Sequence, residues 1–259
     1  MRRPKKQYGF TIPELLIVMS VIGILIGLII TFTVSFSRFA ASLQVVSDSF
    51  VDRLNLSDYI RDKVGSSSGL IIQTSITDNN PLNPDTSITP QVFWTKLHAV
   101  PSTITMPSNG ATTPILYFKK FSQDTSGAYI YNGVNPYEDE FVLYLNGTDK
   151  SLYIRTLANQ SAANNKLKTT CLPANASANC PADGKIMPNV SSVETRYFSR
   201  SGTIIDWTSA YDIDLGTYIG PDFPSVEVVE LKVNSTIQAK YQTNNLNPAT
   251  LIRIAIRNT

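Results

Sequence analysis

The chain has 259 residues, 16% of them charged, and a formal net charge of +2, which leaves room for one domain of ordinary size with a buried core. Four of its 22 basic residues, Arg2, Arg3, Lys5 and Lys6, precede an apolar run, so the remaining 18 stand against 20 acidic residues. The rest of the chain is therefore near neutral, which argues against a broad nucleic-acid-binding face. Its wealth of Asn, Ser, Thr and Tyr is more typical of exported surfaces than of cytosolic enzymes.

From Phe10 to Phe36 the sole ionisable side chain is Glu14, and the run exceeds the roughly 20 residues that a membrane-spanning helix requires. The basic cluster MRRPKK is expected to stay on the cytoplasmic side, with everything after Phe36 translocated. A conventional secretory signal peptide is disfavoured, because the apolar run is about twice the length of an h-region and ends at TFTVSFSRFAAS without a clear cleavage site. A plain anchor leaves Glu14 unexplained. A carboxylate inside a spanning helix is unfavourable and ordinarily has a partner; the nearest basic groups lie upstream, and a free amine would arise beside it only on cleavage just before Phe10.

Beyond the membrane run, Phe39, Leu43, Val46, Phe50, Leu54, Ile60 and Val64 keep near-helical spacing. The helix is expected to continue from Phe10 to about Val64, roughly 80 Å at 1.5 Å per residue, and to stop at GSSSG, residues 65–69. That stretch also spells G-x-S-x-G around Ser67. A nucleophile elbow needs a strand before it and a helix after it, the reverse of the order here, so a catalytic Ser67 is disfavoured.

From residue 69 onward short β-runs alternate with turn residues. Strands are expected at LIIQTSI (70–76), ILYFKKF (115–121), AYIYN (128–132), EFVLYLN (140–146), SLYIRTL (151–157), VETRYFS (193–199), TIIDW (203–207), SVEVVELKV (225–233) and LIRIAIR (251–257). Asn146-Gly147 and Ser201-Gly202 signal antiparallel hairpins. Residues 74–90 read as a long loop, and QVFWTKLHAV (91–100) is ambiguous between helix and strand. The lone His98 within it reads as an ordinary packing or surface residue. Glu138, Asp139 and Glu140 form an acidic cluster, and Asp212 and Asp214 fall at calcium-loop spacing. Neither set completes a coordination sphere, so both read as solvated acidic loops and no metal or other cofactor is expected. Cys171 and Cys180 lie in a Pro-, Asn- and Ala-rich stretch; they can pair if the domain is outside the cytoplasm, and otherwise are loop thiols.

GFTIPELLIVMSVIGIL resembles the class III signal of type IV pilins and type II secretion pseudopilins: a short basic leader ending in Gly, then Phe, with Glu as fifth residue of the mature chain. The resemblance implies cleavage between Gly9 and Phe10 by a membrane-embedded prepilin peptidase, N-methylation of Phe10, and an assembly role for Glu14 opposite the Phe10 ammonium of a neighbouring subunit. Pro13 fits the first helical turn, and Gly23 matches a stretch that can unwind during assembly. Thr31 stands where many major pilins carry a helix-kinking proline. A second resemblance, over VSSVETRYFSRSGTIIDWTSAYD, FPSVEVVELKV and TLIRIAIRNT, is to J-type minor pseudopilins and W-type minor pilins.

What these resemblances imply is an α+β, pilin-like fold: leader 1–9, transmembrane and assembly helix 10–36, amphipathic continuation 37–64, and a β-rich domain over 65–259. The expected role is structural and non-enzymatic, as a minor subunit of a type IV pilus or secretion pseudopilus. Its expected partners are other pilin subunits, the prepilin peptidase, an inner-membrane assembly platform and, before assembly, membrane lipid. The expected location is the cytoplasmic membrane, amino terminus inside and domain outside, and later the filament. The alternatives are a filament-displayed adhesin or DNA-uptake module and, less favoured, a membrane-anchored hydrolase using Ser67.

Overall fold

The computed structural model describes residues 11–70, 75–78, 92–95, 102–178, 180–205, 211–212, 217–218, 226–236 and 248–255. One helix, α1 (Ile12–Gly65), runs unbroken for 54 residues. It ends where the sequence changes to GSSSG: the Ser67 N–H donates back to the Val64 carbonyl at 3.0 Å, and the Ser68 N–H reaches the Lys119 carbonyl at 2.8 Å. Those two bonds turn the chain from the helix into the sheet.

The two larger antiparallel sheets among the described residues are built from β1 (Gly69–Leu70), β2 (Ser102–Thr105), β3 (Thr112–Phe121), β4 (Glu138–Asn146), β5 (Ser151–Leu157), β6 (Gly184–Met187), β7 (Val190–Phe198), β8 (Val228–Ser235) and β9 (Ala249–Ala255). The five-stranded sheet has the order β1-β3-β4-β5-β6 and the four-stranded sheet β9-β8-β7-β2. With the long apolar amino-terminal helix, this is the α+β, pilin-like arrangement that the sequence implies. At the β4–β5 turn Gly147 is required for space, since a Cβ there would lie 2.0 Å from the Ser108 carbonyl oxygen.

The strands sort their side chains by the period of two. On β4, Phe141, Leu143 and Leu145 enter the main core while Val142 and Tyr144 take the opposite face; on β5, Leu152 and Ile154 part from Tyr153 in the same way. Phe118 stacks on Phe141 at 5.0 Å, and Tyr144 on Tyr153 at 5.6 Å, each on its own face. The helix contributes Leu56, Ile60 and Val64, one residue per turn, packed into the same cluster as Val229, Leu231, Ile252 and Ile254. Burying each such side chain is worth about 1.5–3 kcal/mol, so this short stripe anchors the helix on the domain.

The structure departs from the sequence reading at several strands. Ser75–Asp78, wholly inside the expected loop 74–90 and overlapping the end of the expected strand 70–76, pairs with Val92–Thr95, so the ambiguous 91–100 stretch supplies a strand. The β-branched and aromatic residues of VFWT favour that state over a helix. The edge strands β2 and β6 escape detection because each is only four residues long. Thr203–Ile205 is no strand of its own: Ser199 N–H donates to the Thr203 carbonyl at 3.0 Å and Ile205 N–H to the Tyr197 carbonyl at 2.9 Å, folding the segment around Gly202. AYIYN reduces to a two-residue ribbon, Tyr131–Asn132 against Asn135–Pro136.

Candidate functional site: the exposed helix and its first turn

The described chain starts at the helix cap. Thr11 is extended (φ −77°, ψ 151°), Pro13 sits in the first turn, and Glu14 is the third helical residue. This is the T-x-x-E pattern of a capping box. Glu14 Oε2 accepts the Thr11 N–H at 2.9 Å and the Thr11 hydroxyl at 2.8 Å. A carboxylate at the amino end also faces the positive pole of the helix dipole. Thr11 has no part in the assembly role that the resemblance gives Glu14, although the Thr11-x-x-Glu14 spacing of a capping box is legible in the sequence. Gly9 and Phe10 lie outside the described residues.

From Ile12 onward α1 is long and apolar enough to cross a membrane, and its apolar window is 0% buried by the rest of the protein. Its hydroxyls bond within the helix itself: Thr31 to the Gly27 carbonyl, Thr33 to Ile29 and Ser37 to Thr33, each at 2.8 Å. Such back-bonding satisfies the polar side chains without a partner helix, as a hydrocarbon environment demands. The exposed apolar surface does not stop at Phe36. Phe39 is 59% exposed, and Leu43, Phe50 and Leu54 continue the same face, while the buried stripe begins only at Leu56.

The other candidate residues fall elsewhere. Ser67 is buried, its Oγ has no hydrogen-bond partner, and it sits between α1 and the strand β1. That is the helix-then-strand order the sequence reading anticipated, opposite to an elbow. His98 and Asp214 lie outside the described residues, and Asp212 pairs with Thr217 in a short ribbon. Among the described residues no three His, Cys, Asp or Glu side chains cluster as a metal site. A disulfide joins Cys171 and Cys180, whose Cα atoms are 5.5 Å apart.

One expectation is overturned. The acidic run 138–140 is not a solvated loop but the start of β4, and the strand alternation divides it. Asp139 points inward at 0% exposure. Glu138 accepts from Ser68 Oγ at 2.8 Å and pairs with Lys119 at 3.3 Å. Burial pushes the Glu140 carboxyl above its ordinary range, against the pull of Lys119.

A second buried polar group had no signal in the sequence beyond an arginine amid apolar strand residues. On the outer face of the five-stranded sheet Arg155, fully buried, pairs through Nε with Asp78 at 2.5 Å and through Nη1 with Asp183 at 3.4 Å. The Tyr144 hydroxyl donates to Asp183 at 2.7 Å. Burial raises the Asp183 carboxyl, with Arg155 and the Tyr144 bond opposing it, and burial likewise raises the Tyr144 phenol far above its normal value. The Asp183 N–H also donates to the Cys171 carbonyl at 2.8 Å, so the disulfide loop and this ion cluster are one unit.

A family model described as the prokaryotic N-terminal methylation motif matches residues 4–30. Comparisons with curated proteins and with solved structures found no match. The matched motif and the exposed apolar helix define a membrane-anchored precursor with a class III signal. Such a signal supports membership of the type IV pilin and pseudopilin family, a structural rather than an enzymatic class, and implies processing by prepilin peptidase and assembly with other pilin subunits.

Proposed function

We propose that the chain is a minor pilin or pseudopilin subunit, cut between Gly9 and Phe10, N-methylated on Phe10, and assembled through Glu14 and the exposed face of α1 into a type IV pilus or type II secretion pseudopilus. The observation that carries this reading is Glu14 at the head of an apolar helix that the protein's own domain leaves uncovered. Before assembly the Thr11 N–H and hydroxyl hold the carboxylate. In the filament the Phe10 ammonium of a neighbour supplies the opposite charge, and each group relieves the other's desolvation where water is scarce.

The same reading places the leader on the cytoplasmic side and the β-domain outside, where a disulfide between Cys171 and Cys180 persists. The long β7, the turn at Gly202 and the β8 and β9 strands support a J-type or W-type minor subunit. The test is filament incorporation of Glu14→Ala alongside wild type in cells. Membrane insertion and leader cleavage stay intact while incorporation falls; normal incorporation would sink the role given to Glu14.

A further inference from the structure

Asp48 and Asp52 stand one helical turn apart on α1, and both line a groove of about 820 Å3 between the helix and one end of the sheets. The lining also holds the apolar Met106, Met187 and Pro188, together with Lys150. Like charges at this helical spacing repel each other. Neither carboxylate forms an ion pair with a described basic side chain, Lys150 included. A cavity of this size is in the range of binding sites, and two uncompensated carboxylates beside apolar side chains suit a cationic head on an apolar stem.

The chain carries such a group at the other end of the same strand. Val190, which lines the groove, opens β7, and Phe198 closes it, roughly 26 Å away at about 3.3 Å per residue. Arg200 follows in the next turn with its side chain 89% exposed, and its Nε is 3.8 Å from Glu227. An exposed pair at that distance holds the guanidinium weakly. The turn itself is firm. Gly202 N–H donates to the Ser199 carbonyl at 2.9 Å with Gly202 at φ 79°, and the Ser201 hydroxyl meets those of Ser199 and Thr203 at 2.8 and 3.0 Å. Ile204, 46% exposed, adds an apolar side chain to it. A turn already fixed in this way loses little freedom on docking.

The length of β7 keeps Arg200 from the groove of its own molecule, whereas a second copy stacked end to end can bring its Arg200 there. A planar guanidinium can bridge two carboxylates through its forked donors. We propose that the Arg200 turn of one copy docks in the Asp48–Asp52 groove of the next, with the guanidinium between the two carboxylates and Ile204 against the apolar lining. Such a contact is heterologous: it leaves a free groove at one end of the pair and a free turn at the other, so it can repeat without closing. The proposal adds a domain contact to the filament reading and does not depend on Glu14.

Sedimentation velocity of the full-length protein tests it, in a detergent whose micelles outnumber the chains. Wild type is expected to self-associate as its concentration rises, and Glu14→Ala to do so equally, because the contact lies outside the membrane run. Arg200→Glu, and separately Asp48→Lys combined with Asp52→Lys, should each weaken association by about tenfold or more. Mixing these two variant chains brings opposite charges together again and should restore association that neither shows alone. Wild type that stays monomeric at every concentration, variants that associate like wild type, a mixture that fails to recover, or loss of association in Glu14→Ala overturns the proposal.

Discussion

Thr11 and Glu14 close the first turn of α1 on itself: backbone N–H and hydroxyl of the one converge on a single carboxylate oxygen of the other, at 2.9 and 2.8 Å. The turn therefore holds its own charge before any neighbour arrives. Thr11→Val keeps the β-branched shape and deletes the hydroxyl donor, leaving the N–H bond in place. Filament incorporation is expected to fall by less than in Glu14→Ala, where a loss of about tenfold or more is expected. Incorporation scored by quantitative immunoblot of sheared filaments checks the order; equal defects would show that Thr11 is no mere auxiliary.

The two faces of the helix beyond the membrane run differ in what holds them. Leu56 and Ile60 are at 0% and 1% exposure in the core, whereas Leu54 is 51% exposed. Truncation of Leu56 or Ile60 to Ala should destabilise the folded domain by about 2–5 kcal/mol. Leu54→Ala should change it by about 0.5 kcal/mol or less and, on the reading above, lower filament incorporation instead. Denaturant unfolding of the full chain in detergent separates the two effects.

Arg155 is the counter-ion of Asp78 and Asp183 in a site closed to water. Arg155→Ala leaves two carboxylates buried without it, and a loss of about 3–5 kcal/mol is expected. Equilibrium unfolding provides the check, and a loss below about 1 kcal/mol would show that the cluster is solvated.

Two carboxyls give opposite pH signatures. Burial raises Asp183, offset in part by Arg155, so the folded state holds that proton more tightly and stability from this group declines as pH rises from about 4 through its raised value. Asp149 is lowered overall: burial pushes it up, but bonds from the Tyr153 hydroxyl at 2.6 Å and Lys185 at 2.9 Å outweigh it. Its contribution is present above about pH 4 and is lost as pH falls through the lowered value. In Tm scans from pH 2 to 7, Asp149→Asn should flatten the acid limb and Asp183→Asn should flatten the decline above it.

The disulfide closes a loop of nine-residue separation. Cys171→Ser with Cys180→Ser should lower stability by about 2–3 kcal/mol, and because Asp183 N–H bonds the Cys171 carbonyl, the pH decline assigned to Asp183 should weaken with it. Chemical denaturation of the double variant against oxidised wild type measures both.

The long helix was legible because an uninterrupted apolar run and then a 3.6-residue period admit no other regular structure, and GSSSG marks its end. The central strands β3, β4, β5 and β8 were legible from their β-branched and aromatic runs. Short edges such as β2 were not, because four residues between prolines carry little periodicity. Asp139 could have been placed from the sequence: it alternates with Phe141, Leu143 and Leu145, which puts it on the core face rather than in a loop. The partnership of Arg155 with Asp78 and Asp183 could not, since it joins residues 77 and 28 positions apart through tertiary packing alone.

The most direct measurement is the mass of the mature amino terminus. Purified from membranes of cells that hold prepilin peptidase, the chain should begin at N-methylated Phe10, with Glu14 as its fifth residue. A chain that retains Met1, or one that starts after Phe36, would contradict the assembly role of the helix.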